Sequence, residues 1–174
     1  MSLKTPTIAI LLAAYNGIEF IEEQVDTILK QKYVIVDLFI SVDLSSDGTY
    51  EWALDLSLKN KNVHVLPYGD VFGIASKNFY RLIKDVDFGY FDYIALADQD
   101  DIWMTDKIIN AIDMLKLSKA VGYSGNTISF WDNGRRKKIN RPTIQKKFDY
   151  YFEPPGPGCT FVIKKEIAIM LKDF

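Results

Sequence analysis

The chain has 174 residues, of which 48% are hydrophobic and 25% charged, the usage of an ordinary folded domain and not of a disordered or collagen-like chain. Its 21 basic and 23 acidic residues give a net charge of −2, which argues against a protein that coats nucleic acid. A single cysteine excludes an internal disulfide and points to a reducing, cytoplasmic compartment, and one cysteine with one histidine cannot build a Cys/His zinc site.

No apolar run approaches the ~20 residues of a membrane helix. Ile8–Ala14 has only Lys4 as a preceding charge and runs straight into turn residues, so it reads as the end of a buried strand over Thr7–Ala14 and not as a signal-peptide core. Asn16 with Glu19 resembles a capping box, and Ile18, Ile21, Val25, Ile28 and Leu29 follow at helical spacing. A second strand runs from Val34 or Asp37 to Val42 and is closed by Ser45-Ser46-Asp47-Gly48, ahead of a helix from Thr49 to Leu58. Asn62–Leu66 predicts a short strand, Ile74–Lys84 a helix, Tyr93–Ala97 a buried strand and Thr105–Leu117 an apolar helix. Val121–Trp131 alternates loosely, as an antiparallel or mixed strand does. Pro154-Pro155-Gly156-Pro157-Gly158 excludes regular structure, and Cys159–Ile163 predicts a last strand before a terminal helix.

Strands alternating with helices predict an α/β fold, a mostly parallel sheet covered on both faces, in one domain over residues 1–174. Ligands of such sheets bind at the carboxyl ends of the strands. The polar clusters Tyr15-Asn16, Asp43 to Asp47 and Asp98 to Asp101 each follow a predicted strand, so three loops should converge on one edge.

The sharpest of these is Ala97-Asp98-Gln99-Asp100-Asp101. Carboxylates at i and i+2 leaving a strand can reach one small volume, where they repel unless a cation neutralises them. Hard oxygen ligands suit Mg²⁺ or Mn²⁺, which would bridge protein and diphosphate. A solvated loop capping the next helix through Asp101 is the plainer alternative. Asp43 to Thr49 likewise divides between turn and cap residues and a contact from Asp43 to a base or ribose.

Further motifs join these: Ala14-Tyr15-Asn16-Gly17, Glu22-Glu23-Gln24 to Ile28, Gln31, and Gly73 with Lys77-Asn78-Phe79. The acidic segment continues through Ile102-Trp103 with Asp106-Lys107, and Gly158-Cys159 closes the series. In this order and spacing they resemble the family 2 glycosyltransferases of the GT-A fold, and within them the rhamnosyltransferase-like branch that builds bacterial surface polysaccharides. The resemblance implies a Rossmann-like three-layer α/β/α sandwich. It implies transfer of a sugar, with inversion, from a UDP- or dTDP-sugar, rhamnose among the candidates, to a polysaccharide or lipid-linked acceptor. Ala14 and Tyr15 would line the pocket beside the base, Asp43 would contact uracil or thymine, and Lys77 would lie near the donor phosphates. Asp98 would approach the ribose and share with Asp100 the binding of Mn²⁺ or Mg²⁺. Asp101 and Trp103 would shape the loop.

Two departures stand out. The family's paired acids before Gly-Ser are here Val42-Asp43-Leu44, so donor affinity or base choice is expected to differ. The general base, an Asp in a His-Asp pair downstream of Gly-Cys, has no counterpart; the one histidine is His64, far upstream, so an amino-terminal fragment of a longer enzyme is expected, with the base beyond Phe174.

Residues 133–148 carry seven basic side chains, Arg135, Arg136, Lys137, Lys138, Arg141, Lys146 and Lys147, and no acid. They read either as a mobile surface loop or as a platform for an anionic acceptor at the inner face of the cell membrane. Tyr150-Tyr151-Phe152 beside them suits sugar stacking or packing. Two other classes compete: a Mg²⁺-dependent nucleotidyltransferase, against which stands the lack of a Gly-rich triphosphate loop after the first strand, and a non-catalytic nucleotide-binding domain.

Overall fold

The computed structural model describes residues 4–140, 147 and 156–174. The stretches 141–146 and 148–155, which hold Arg141, Lys146, Tyr150-Tyr151-Phe152 and Pro154-Pro155, lie outside the described residues.

Eight consecutive residues, Thr7–Ala14, form strand β1. From Ile8 onward both of its faces are apolar and buried, so it takes the centre of the sheet. Ile8, Ile10, Leu12 and Ala14 pack into one core cluster, and Ala9, Leu11 and Ala13 into the other. Parallel neighbours flank it: β2 (Ile35–Val42) on one side and β4 (Tyr93–Ala97) on the other. β3 (Val63–Val65) extends the sheet beyond β2. On the far side β8 (Val162–Lys164) runs antiparallel to β4, and β5 (Gly122–Tyr123) pairs antiparallel with β8. The order is β3-β2-β1-β4-β8-β5, a mixed sheet with a parallel centre.

Helices cover both faces, completing the expected three layers. α1 (Ile21–Leu29), α2 (Thr49–Lys59) and α4 (Lys107–Ser118) present Ile21, Val25, Ile28, Ala53, Ile108, Ile112 and Leu115 to the first cluster. α3 (Ala75–Asp85) and α5 (Lys165–Leu171) close the other through Leu82 and Ala168. Among the described residues, no helix is long and apolar enough to cross a membrane.

Three local expectations differ. α1 begins at Ile21, not at an Asn16 cap. Asn16 adopts a left-handed φ of 43°, and its side-chain oxygen accepts from the Ser46 N–H instead of capping a helix. The segment expected as one strand over Val121–Trp131 divides into β5 and β6 (Thr127–Phe130), and β6 leaves the sheet to pair with β7 (Arg136–Ile139) in a separate antiparallel hairpin. Part of the basic stretch is therefore a strand and not a loop. Finally, Gly158–Thr160 is a 3-10 turn, and the strand that follows it starts at Val162.

Candidate active site

The carboxyl ends of β1, β2 and β4 open into a cavity of about 640 Å³, a size suited to a small-molecule ligand. Ala14 and Tyr15 line it from the loop after β1, Asp43 and Leu44 from the loop after β2, and Asp98, Gln99 and Asp100 from the loop after β4. The three expected loops converge. A fourth segment contributes Val71, Gly73, Ile74, Ala75 and Asn78. Five of the six expected site residues are thus brought together, whereas Lys77 is exposed on α3 and does not line the cavity.

Much of the polar sequence after β1 and β2 fastens the two loops to each other. The Asn16 N–H donates to Ser45 Oγ (3.0 Å) and the Ser46 N–H to Asn16 Oδ1 (2.9 Å). The Gly17 N–H donates to the buried Thr49 Oγ1 (2.8 Å), and the Ile18 N–H to Asp47 Oδ2 (3.0 Å). Asp47 also accepts from the Thr49 hydroxyl at 2.6 Å, setting the start of α2. Burial pushes its carboxyl pKa up, but the Thr49 and Ile18 donors outweigh burial and hold it low.

Asp43 is 5% exposed. Its Oδ1 accepts from the Leu44 and Phe72 N–H groups and its Oδ2 from the Gly73 N–H, each at 2.8 Å. Burial opposes ionisation, yet the three backbone donors together keep the carboxyl below the ordinary range. With two acceptor positions per oxygen, one position on Oδ2 is not taken by these donors, and Asp43 is among the residues that line the cavity. Gly73 takes a φ of 75°, which suits glycine and lets the chain turn its N–H onto this carboxylate.

Gln99 is a site residue that sequence reasoning passed over. Its Oε1 accepts from the Tyr15 N–H at 2.7 Å, and its Nε2 donates to the Tyr15 carbonyl at 3.0 Å. The carboxamide behaves as one more rung of backbone, tying the acidic loop to the Tyr15 loop. Gly17 leaves the space for it, since a Cβ there would overlap the Gln99 carboxamide. Asn78 was noticed only as part of a motif. It is 3% exposed and donates to the carbonyls of Ser41 (3.0 Å) and Ala14 (3.3 Å), joining the ends of β1 and β2 to α3.

Behind the crevice the acids meet α4 and the 3-10 turn. Ligand atoms of Asp98, Asp101 and Cys159 lie within 4.8 Å of one another. Burial first, and then the neighbouring Asp101 and Asp100, push the Asp98 carboxyl up. Burial and Asp101 push the Cys159 thiol up as well, so it stays protonated, in keeping with the small buried residue expected there. Lys107 is the cation of this cluster. Its Nζ donates to the Cys159 carbonyl at 2.7 Å and lies 3.0 Å from the centroid of the Trp103 ring. Burial lowers its pKa to about 7, against the pull of Cys159, Asp101 and Asp98. Trp103 is buried, and the Gln24 amide, oriented to satisfy both, accepts from its indole N–H (3.2 Å) and donates to the Asp101 carbonyl. Asp101 and Trp103 therefore shape the loop, as expected.

The donor set fits a hard divalent cation on the crevice side. Asp98 and Asp100 both line the cavity, and among the described residues neither forms an ion pair. On the interior side burial leaves Lys107 only weakly held in its charged form, and the carboxylate oxygens that line the cavity are the ones a hard cation would meet.

Comparison with known proteins agrees with this geometry. The chain is 49% identical over 164 residues to the dTDP-rhamnosyl transferase RfbG of Shigella flexneri, an alignment covering 94% of this chain and 57% of that protein. Among solved structures it resembles S. aureus TarS in complex with UDP (TM-score 0.70, 14% identity, 96% of this chain and 48% of that one). It also resembles the mannosyltransferase PcManGT from Pyrobaculum calidifontis in complex with GDP-Man and Mn²⁺ (TM-score 0.65, 16% identity, 97% and 47%). Both share the GT-A fold. The chain spans a little over half the length of RfbG. Residues 6–163 match the family described as "Glycosyltransferase like family 2", and the chain belongs to that family.

Proposed function

We propose that the protein transfers a sugar from a nucleoside diphosphate donor, dTDP- or UDP-linked, to a saccharide or lipid-linked acceptor, with inversion at the anomeric carbon. The observation that carries this reading is the single cavity lined by Ala14, Tyr15, Asp43, Asp98 and Asp100 at the ends of three parallel strands. The similarity to a dTDP-rhamnosyl transferase favours dTDP-rhamnose as the first donor to try.

In this reading Tyr15, 55% exposed and fixed at its backbone by Gln99, supplies a face for the base. The open position on Asp43 Oδ2 accepts the imide N–H of thymine or uracil. A carboxylate already held by three N–H groups needs little reorganisation to do so, and it rejects a base that presents an acceptor there. Asp98 accepts from the ribose. Asp98 and Asp100 would hold Mn²⁺ or Mg²⁺, which would supply positive charge against a departing diphosphate. Lys77, out on α3, acts on donor phosphates only through long-range attraction. The proton of the acceptor hydroxyl goes to a carboxylate base that none of these residues provides. We place the reaction in the cytoplasm, at the inner face of the cell membrane where a lipid-linked acceptor is presented.

The test is release of nucleoside diphosphate from dTDP-rhamnose and from UDP-sugars in the presence of Mn²⁺ and a saccharide acceptor. Release of dTDP or UDP with formation of a glycoside supports the reading. Pyrophosphate released from a nucleoside triphosphate plus a sugar phosphate would replace it with a nucleotidyltransferase.

A further inference from the structure

The β6–β7 hairpin is the part of the fold that packing does not explain. It forms its own two-stranded sheet, and all four residues of β7 are exposed. In the register Ile128 faces Lys138 and Phe130 faces Arg136, and directly opposed residues of an antiparallel pair project to the same side. One face therefore carries Ile128, Phe130, Arg136 and Lys138 together. The two apolar side chains are 46% and 56% exposed. At the turn Trp131, 44% exposed, pairs with Arg135 one position on and so projects to the other face, under the Arg135 guanidinium, whose carbon is 5.0 Å from the ring centroid. Among the described residues Arg135, Arg136, Lys137 and Lys138 form no ion pair, and Asp132 in the turn is the one acid between Thr127 and Ile139.

An exposed pair of large apolar side chains is costly in water, and uncompensated cations around it repel one another. Both costs fall at an anionic bilayer. Phe130 and Ile128 enter the boundary between headgroups and acyl chains, while the Arg136 and Lys138 side chains on the same face extend to the phosphates. An acidic protein surface would satisfy the cations but leave the apolar residues without a reason. Nucleic acid is a poor occupant for a chain of net charge −2. We propose that the face made by Ile128, Phe130, Arg136 and Lys138 docks the protein onto an anionic lipid bilayer. This deepens the membrane placement above by naming its surface, and it does not depend on the donor site.

Co-sedimentation with vesicles tests it, using pure phosphatidylcholine and phosphatidylcholine mixed with phosphatidylglycerol, at low and high salt and without nucleotide. The expected result is binding to the anionic vesicles alone, lost at high salt. Neutralising a cation at the surface weakens binding about fivefold, so Arg136→Gln with Lys138→Gln weakens it about 25-fold. Phe130→Ser weakens it about tenfold. Leu117→Ser, an exposed apolar residue on α4, leaves it unchanged. All four substitutions are at exposed positions, and unchanged thermal melting shows that the variants are folded. Equal binding to neutral vesicles, or wild-type binding by the hairpin variants, overturns the proposal. So does absence of binding by folded protein, or a dimer in solution that Phe130→Ser dissociates, which would make a second copy the occupant. Nucleotide titration of the same sample keeps these outcomes separate from failure of the donor reading.

Discussion

Gly17→Ala and Gln99→Ala, singly and combined, probe the bridge between the Tyr15 loop and the acidic loop. Gln99→Ala removes two hydrogen bonds, at 2.7 and 3.0 Å, from a position partly open to water. The expected cost is about 1–2 kcal/mol. Gly17→Ala reaches the same end from the other side, because the new methyl group needs the volume that the Gln99 carboxamide fills, and the flexible side chain swings away. Gly17 does not have a positive φ, so its backbone accepts alanine without strain. In the double variant nothing is left for the methyl group to displace. The second substitution then costs about nothing, or stabilises by up to ~1 kcal/mol through loss of unfolded-chain entropy. The coupling between the sites is therefore about 1–2 kcal/mol. In a chain of this size each single variant should melt roughly 2–8 °C below wild type, with the double no lower than Gln99→Ala alone. Thermal unfolding of the four proteins, followed by circular dichroism, reads this directly. Additive losses would refute the bridge as the reason for a glycine at position 17.

Asp43→Asn leaves one acceptor oxygen and turns an NH₂ group toward backbone N–H donors, so it should cost about 2 kcal/mol and weaken nucleotide binding in the same titration. Asp43 and Asp47, with Asp92, whose carboxylate accepts from the Thr7 N–H and hydroxyl (both 3.1 Å), all have depressed carboxyl pKa values in the folded state. Their stabilisation is complete above the unfolded value of ~3.9 and is lost as pH falls toward the folded values. Melting temperature should be insensitive to these groups above pH ~5 and drop below pH ~4, with a shallower drop in Asp43→Asn; an equally steep drop would exclude Asp43 as a contributor. Lys107→Met removes the Nζ donor to the buried Cys159 carbonyl, beside Asp98 and Asp101. A loss of about 1–2 kcal/mol in urea unfolding is expected, and wild-type stability would contradict the role given to this donor.

The centre of the fold was legible because its strands obey one rule each. β1 is apolar at every position after Thr7, so only a buried central strand suits it, and the boundaries expected from sequence agree with those observed. The placement of polar clusters after strands likewise marks the crevice in the sequence itself. Legibility stopped where a side chain had two uses. Asn16 with Glu19 has a capping spacing, yet the asparagine finds a better partner in the Ser46 N–H across the crevice, a contact that local sequence cannot register. Val121–Trp131 has the alternation of one strand, but the partner that splits it lies ahead at Arg136–Ile139, where four exposed residues with three cations read as a loop. Gln99 carried no signal of its own, because its role depends on a backbone 84 residues away; the signal available was the absent side chain at Gly17. Lys77 was selected by motif position, and helix phase leaves it on the solvent side while Asn78 faces the strand ends.

The central claim is a donor site whose metal is held by Asp98 and Asp100, and nucleotide-dependent thermal stabilisation tests it most directly. Wild type and Asp100→Ala are melted with dTDP, UDP or GDP, each with and without Mn²⁺. A ligand at 100 times its dissociation constant stabilises by ~2.7 kcal/mol, roughly 5–10 °C here. The account predicts a Mn²⁺-dependent rise with dTDP or UDP and none in Asp100→Ala, which otherwise melts as wild type does. A rise that ignores Mn²⁺, or one that Asp100→Ala retains in full, would contradict it.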